Sequence, residues 1–396
     1  MSEMQGAAPR SRLRQRQQRR QQKQQVQQAV AYRRRSRTFP QLRPRGKFHW
    51  PRPQEMLNLL QQGVPLLVAI VVVVLITAGF MYFNRLAGGG EVQRPNALWL
   101  GPGWDRAGPT VEDALDDLLA RAKRHDIGTF YIWVSVLTAD HRWLRQEEMP
   151  QLQESLRELR ERAGDFTLFA WLSVPLTPDV GGSNIQDEER IRAILEFSRE
   201  LVRSDGYGFD GVLLNLQPLP QDDGPVLRLL RRVRGMLQAE DALLALAATP
   251  DYHPYDVDIP AAESIQEGTE WSTVFKEEMA LLADELVLQA HNSYLDTGLE
   301  YSSWLAHQVQ VYLQILQDLD ERARFVVDLP TYDLDEAAMG HSPAVENVTT
   351  FLRGLNHALA AVGEAAEHFS GIAIYRDWET SEAEWNQFHQ QWVREQ

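Results

Sequence analysis

The chain has no cysteine in 396 residues. A disulfide, a thiolate nucleophile, a thiolate metal site and a cysteine-linked lipid anchor are therefore all excluded, while the redox compartment stays open. Its ten histidines form no HExxH or HxH spacing, so neither a metal nor any other cofactor is expected. No GxSxG elbow and no GxxxxGK loop occurs, which removes a lipase-type triad and a P-loop. The glycine-rich turn after the first expected strand, GPGWDRAG at 101–108, lacks the spacing of a dinucleotide fingerprint.

Charge is also missing, locally and completely, from VPLLVAIVVVVLITAGFMYF, Val64 to Phe83. As a helix these residues would cross roughly 30 Å of hydrocarbon, so a transmembrane helix is expected at 63–84. A cleaved signal peptide has a shorter apolar region and a short basic leader, which does not match a run preceded by more than sixty residues. The two sides of this run carry opposite charge. Residues 1–63 hold 15 Lys and Arg against Glu3 and Glu55, a charge of +13, which leaves 25 basic and 53 acidic residues beyond, or −28. The positive-inside rule then puts the N-terminus in the cytoplasm and the C-terminal domain outside a plasma (cytoplasmic) membrane crossed once.

The tail, 1–62, is rich in Gln and Arg and too poor in apolar residues to bury a face, so mostly disorder is expected. Its arginines set topology and could also engage anionic lipid headgroups. A linker at 85–95 contains LAGGG. The acidic domain at 96–396 is a poor partner for nucleic acid.

Within that domain, short apolar runs alternate with stretches of helical period, as in repeated β-α units. Eight strands are expected, at 97–104, 128–137, 166–175, 209–218, 242–252, 285–295, 323–332 and 371–379, each followed by a helix. Eight and eight in about 300 residues predict an α/β fold of the (β/α)8 TIM barrel type, with a doubly wound open sheet as the alternative. Function in such a barrel gathers at the C-terminal ends of the strands.

GFDGVLLNLQP, Gly208 to Pro218, carries most of the information. Alternation puts Val212, Leu214 and Leu216 on one face and Leu213, Asn215 and Gln217 on the other, which must be the barrel interior. Buried amides there need partners or a ligand, because an unsatisfied one costs on the order of 1–3 kcal/mol.

FDG followed by inward positions at alternate residues and a closing proline resembles the fourth-strand signature DGxDxDxE of glycoside hydrolase family 18, the chitinase-like barrels. ALWLGPGW with SVLTADH, HNSYLDTG, and GIAIYRDWETSEAEW resemble more loosely the first two, sixth and eighth strands of that superfamily, the last ending in an aromatic floor. The resemblance implies that Asp210 and Gly211 open the motif, that Leu213 and Asn215 stand at its next two aspartates, and that Gln217 stands at the glutamate that is the family's general acid. All three ionisable positions are replaced. A glutamine has no usable proton to give, and loss of a general acid costs about 10²- to 10⁴-fold in rate, yet an amide still hydrogen-bonds a sugar.

Two readings follow, a barrel that binds a cell-envelope or matrix polysaccharide with little or no cleavage, or an active glycosidase using other mouth carboxylates. Asp251, Asp328, Asp377 and Glu379 are the candidates for the second, since glycosidases generally need two carboxyl groups flanking the bond. Each is otherwise a helix cap or loop contact. Asp377 and Glu379 flank Trp378 and alternate away from it. Aromatic rings stack on sugar faces, which makes Trp104, Trp171, Tyr294, Tyr332, Tyr375 and Trp378 candidate substrate-binding residues, core packing being the alternative for each. His291 is the one histidine of interest at a strand end. A third reading is a membrane scaffold that binds a protein partner. The sequon at Asn347 is a weak pattern.

Overall fold

The computed structural model describes residues 96–394, apart from 103, 105–110, 145–147, 163–165, 177–184, 186, 220–223, 251–270, 320–322 and 333–339. The basic tail, the apolar run at 64–83, the linker and Asp251 lie outside the described residues. No helix among the described residues is long and apolar enough to cross a membrane.

Eight strands close into a barrel in sequence order, β1 (Asn96–Leu100), β2 (Ile127–Val136), β3 (Thr167–Pro175), β4 (Gly211–Gln217), β5 (Leu243–Ala248), β6 (Glu285–Leu288), β7 (Arg324–Pro330) and β8 (Phe369–Tyr375). Every pairing is parallel, including β1 with β8. The intervening helices are α1 (Val111–Arg124), α2 (Met149–Arg162), α3 (Glu188–Val202), α4 (Gly224–Ala239), α5 (Thr273–Leu282), α6 (Gly298–Leu319) and α7 (Val348–Val362), followed by α8 (Glu382–Phe388) after β8. This is the (β/α)8 barrel expected from the sequence.

Helix starts follow capping chemistry. Asp187 and Ser272 accept from backbone N–H groups in the first turns of α3 and α5, and reciprocal capping boxes open α7 at Asn347 and α8 at Ser381. Such caps satisfy donors that the helix leaves orphaned. The sequon residue Asn347 is thus a cap, and its amide also donates to the carbonyls of Pro343 and Ala344.

Period-two alternation separates two cores. Val212, Leu214 and Leu216 pack outward with the helices, whereas Leu213 joins Ala97, Trp99, Tyr131, Phe169, Trp171, Ala245, Val287, Val326 and Ala373 inside the barrel. Large rings from β1–β3 fill the interior against small residues on β5 to β8, which is how a barrel of this size closes without a void. At its N-terminal end Tyr131 donates 2.5 Å to the buried carboxyl of Glu285, which also lies 3.3 Å from Arg324.

Asp210 and Gly211, the opening of the fourth-strand motif, are architectural. Asp210 Oδ2 accepts from Leu168 N at 2.7 Å and from Arg160 at 2.5 Å, tying β3, β4 and α2. A Cβ at Gly211 would overlap Phe169 and the carbonyl of Leu243. The same device recurs two strands on, where Asp284 Oδ2 accepts from Leu244 N at 2.9 Å.

The sixth strand is shorter than the expected 285–295, ending at Leu288. Asn292 and Tyr294 adopt φ of 55° and 57°, in the left-handed region that no strand contains. The turn is held from a distance: the buried carboxylate of Glu346 accepts from Asn292 N at 3.0 Å, Ser293 N at 2.6 Å and the Ser293 hydroxyl at 2.5 Å, and pairs with His341 at 2.7 Å.

Candidate functional site

Trp99 organises the C-terminal half of the barrel interior. Its ring lies 4.7 Å from Trp171 edge-on, 4.8 Å from Tyr131 and 5.7 Å from Tyr375. Its indole N–H donates 2.7 Å to Asp328 Oδ1 on β7. Asp328 is fully buried, and burial pushes its carboxyl well above the usual range, opposed only by the Trp99 hydrogen bond.

Beside Asp328 stands His291, Nδ1 to Oδ2 3.9 Å, stacked on Tyr375 at 4.4 Å and 7°. Burial lowers its imidazole to about 3, with help from the nearby Arg376 and His341. The imidazole is therefore uncharged at neutral pH. Asp328 Oδ2, His291 Nδ1, Trp171 Nε1 and Asn215 Oδ1 are buried atoms with no hydrogen-bond partner among the described residues.

On the adjacent strands, β3 and β4 run in register from Ser173 opposite Asn215 to Pro175 opposite Gln217. Asn215 is half-buried and Gln217 exposed, and the Gln217 amide donates to Gln289 beyond β6. Gln289 is a mouth residue that the sequence reading missed. Its apolar surroundings, LVLQA, carry no signal of a cross-barrel amide pair.

After β8 the chain turns through Arg376, whose guanidinium lies 4.4 Å over Tyr332, 5.3 Å over Tyr375 and 5.9 Å over Trp378. It also pairs with Glu379 at 3.2 Å. Trp378 packs on Gly101 at the end of β1, where a Cβ would overlap the ring, and is 44% exposed. It is the most exposed of the candidate aromatic residues. Tyr332 is buried, stacked on His341 at 3.7 Å and bonded to Asn292 at 2.5 Å, so it forms wall. Tyr294 packs against Gly340, whose φ of 76° and missing Cβ admit the ring.

Two candidates stand apart from the axis. Trp104 packs against the outer core and, with Asp377, lines a cavity of about 350 Å³ beside α1 and α2. Asp377 pairs with Arg121 at 3.2 Å; burial raises its carboxyl, and the guanidinium partly offsets this. The structure thus brings together Trp171, Asn215, Gln217, Tyr332, Tyr375, Trp378, Asp328 and His291 at one end of the barrel. Among the described residues, no cluster of His, Asp and Glu could hold a metal ion.

The barrel fold is of the kind seen in solved chitinase structures. A class V chitinase from Pseudomonas fluorescens Pf-5 superposes with a TM-score of 0.50 at 11% identity, over 74% of this chain and 98% of that one. A chitinase from Chromobacterium violaceum ATCC 12472 gives 0.49 at 12%, over 75% and 98%, and the spore cortex-lytic enzyme SleL from Bacillus cereus gives 0.47 at 11%, over 74% and 73%. At these identities the likeness establishes the barrel alone. No family model and no curated protein matches the sequence.

Proposed function

We propose that this chain is a glycan-binding barrel, displayed outside the membrane by the single apolar span, that holds a cell-envelope or matrix polysaccharide with little or no cleavage. The observation that carries this is how the carboxyls near the mouth are used. Asp328 is buried and bonded to Trp99, Asp377 is paired with Arg121, and Glu379 is paired with Arg376. Hydrolysis needs one carboxyl to donate a proton and a second group across the scissile bond. Among the described residues the mouth offers, in place of such a pair, the amides of Asn215 and Gln217 and the exposed ring of Trp378. Amides and indole rings read sugar hydroxyls and apolar sugar faces without chemistry. The names of the superposed chitinases support a polysaccharide ligand.

The test measures binding and reducing ends together, with the full-length chain and N-acetylglucosamine oligomers or envelope glycans. Binding without new reducing ends is the expected result, and cleavage gained by the double change Asn215→Asp, Gln217→Glu would strengthen it. Turnover that survives Gln217→Ala but disappears with Asp328→Ala or Asp251→Ala would overturn it in favour of a hydrolase. A chain that binds no glycan but retains a protein partner would be a scaffold.

A further inference from the structure

The partners of the buried Asp328 and His291 limit the charges that the pair can carry. Trp99 Nε1 is a donor and nothing else, so Asp328 Oδ1 accepts from it at 2.7 Å. Asp328 Oδ2 has no hydrogen-bond partner, and His291 Nδ1, 3.9 Å away, has none either. No Lys or Arg among the described residues is paired with Asp328, so a carboxylate there would be a buried charge without compensation, which costs several kcal/mol. An imidazolium at His291 would be buried beside Arg376. An uncharged arrangement avoids both costs, with the Asp328 carboxyl facing the His291 nitrogen across 3.9 Å. The two contacts lead to the two rings that frame the mouth, because Trp99 braces Trp171 and Tyr375, and His291 stacks on Tyr375.

We infer that Asp328 is a positioning residue which, facing His291 and accepting from Trp99, fixes the aromatic floor of the mouth and makes ligand binding depend on pH. Its effect on a glycan rests on the binding reading above, while its effect on Trp99 does not. Other titratable groups around it are Tyr131 and Tyr301, which feel its charge, and Arg376 and His341, which act through His291. Burial, which raises the Asp328 carboxyl, agrees with this geometry. Ionising it places a negative charge among indole and phenol rings, and the floor must move.

The test uses the full-length chain labelled at its indole nitrogens, with the Trp99 signal assigned by loss in Trp99→Phe, and a hexamer of N-acetylglucosamine as probe. In the wild type, raising the pH is expected to shift the Trp99 signal and weaken binding together. Asp328→Asn presents a carbonyl to Trp99 and an N–H toward His291, so it is expected to keep affinity within about threefold and abolish the Trp99 titration. Asp328→Leu is expected to displace the Trp99 signal and weaken binding at least tenfold. A Trp99 titration unchanged in Asp328→Asn, or an Asn variant as impaired as the Leu variant, would overturn the inference. If no glycan binds at any pH the binding reading fails, and the Trp99 titration still decides the role of Asp328.

Discussion

The indole of Trp378 rests on Gly101, one residue beyond the end of β1, so that the first and last strands of the barrel build one aromatic surface. On the proposed glycan-binding reading, its exposure and position make this ring the first contact for a sugar. Trp378→Ala is expected to weaken glycan binding about tenfold, the loss of roughly 1–1.5 kcal/mol of stacking, with little change in the melting temperature. Gly101→Ala should weaken binding comparably by displacing the ring. Calorimetric titration and a thermal melt check both.

Asp210 serves the framework. Asp210→Ala removes the acceptor for Leu168 N and for the Arg160 guanidinium, and a loss of about 1–3 kcal/mol is expected. The partly exposed ion pair contributes the smaller share. Asp284→Ala removes the same kind of acceptor at Leu244 N and should cost a similar amount in urea unfolding.

Restoring charge at the motif's middle position should be harmful. Leu213 is fully buried among Trp99, Trp171 and their neighbours, so Leu213→Asp is expected to cost about 3–5 kcal/mol, through lost packing and a buried acid. Denaturant unfolding measures this.

Acid stability carries the mark of His291. Its folded value of about 3 lies below the ordinary 6.5, so between these the unfolded chain binds more protons. Stability therefore rises with pH across that window and falls as pH drops through it, by up to ~1.4 kcal/mol per pH unit. His125, lowered to about 4 mainly by burial, adds a contribution of the same sign. Asp328 has the opposite sign, because its raised value makes the folded state the better proton binder above the usual carboxylate range. Unfolding from pH 3 to 7 should show a shallower slope in His291→Phe, with the His125 contribution remaining.

The Glu346 network holds the turn that follows β6. Glu346→Ala orphans Asn292 N, Ser293 N and the His341 imidazole together. A loss of about 3–5 kcal/mol is expected, with faster hydrogen exchange at Asn292 and Ser293.

The barrel was legible in the sequence because its signals are local. Alternation of apolar residues fixed the inward set Leu213, Asn215 and Gln217 and the outward set Val212, Leu214 and Leu216, and chain order then fixed which strands are neighbours. The mouth was legible in part, since a parallel barrel sends every strand end to one side. That rule gathered Trp171, Tyr375, Trp378 and Asp328, but it also drew in Trp104, which the turn after β1 carries to the outer face. What tertiary structure alone decided are relations between residues far apart in the chain. Asp328 meets Trp99 across 229 positions, Glu346 ends the sixth strand from 53 positions away, and Arg121 takes Asp377 from across 256. Periodicity encodes which face a residue occupies, whereas burial and the identity of a carboxyl's partner, which set its charge, exist only once the chain has closed.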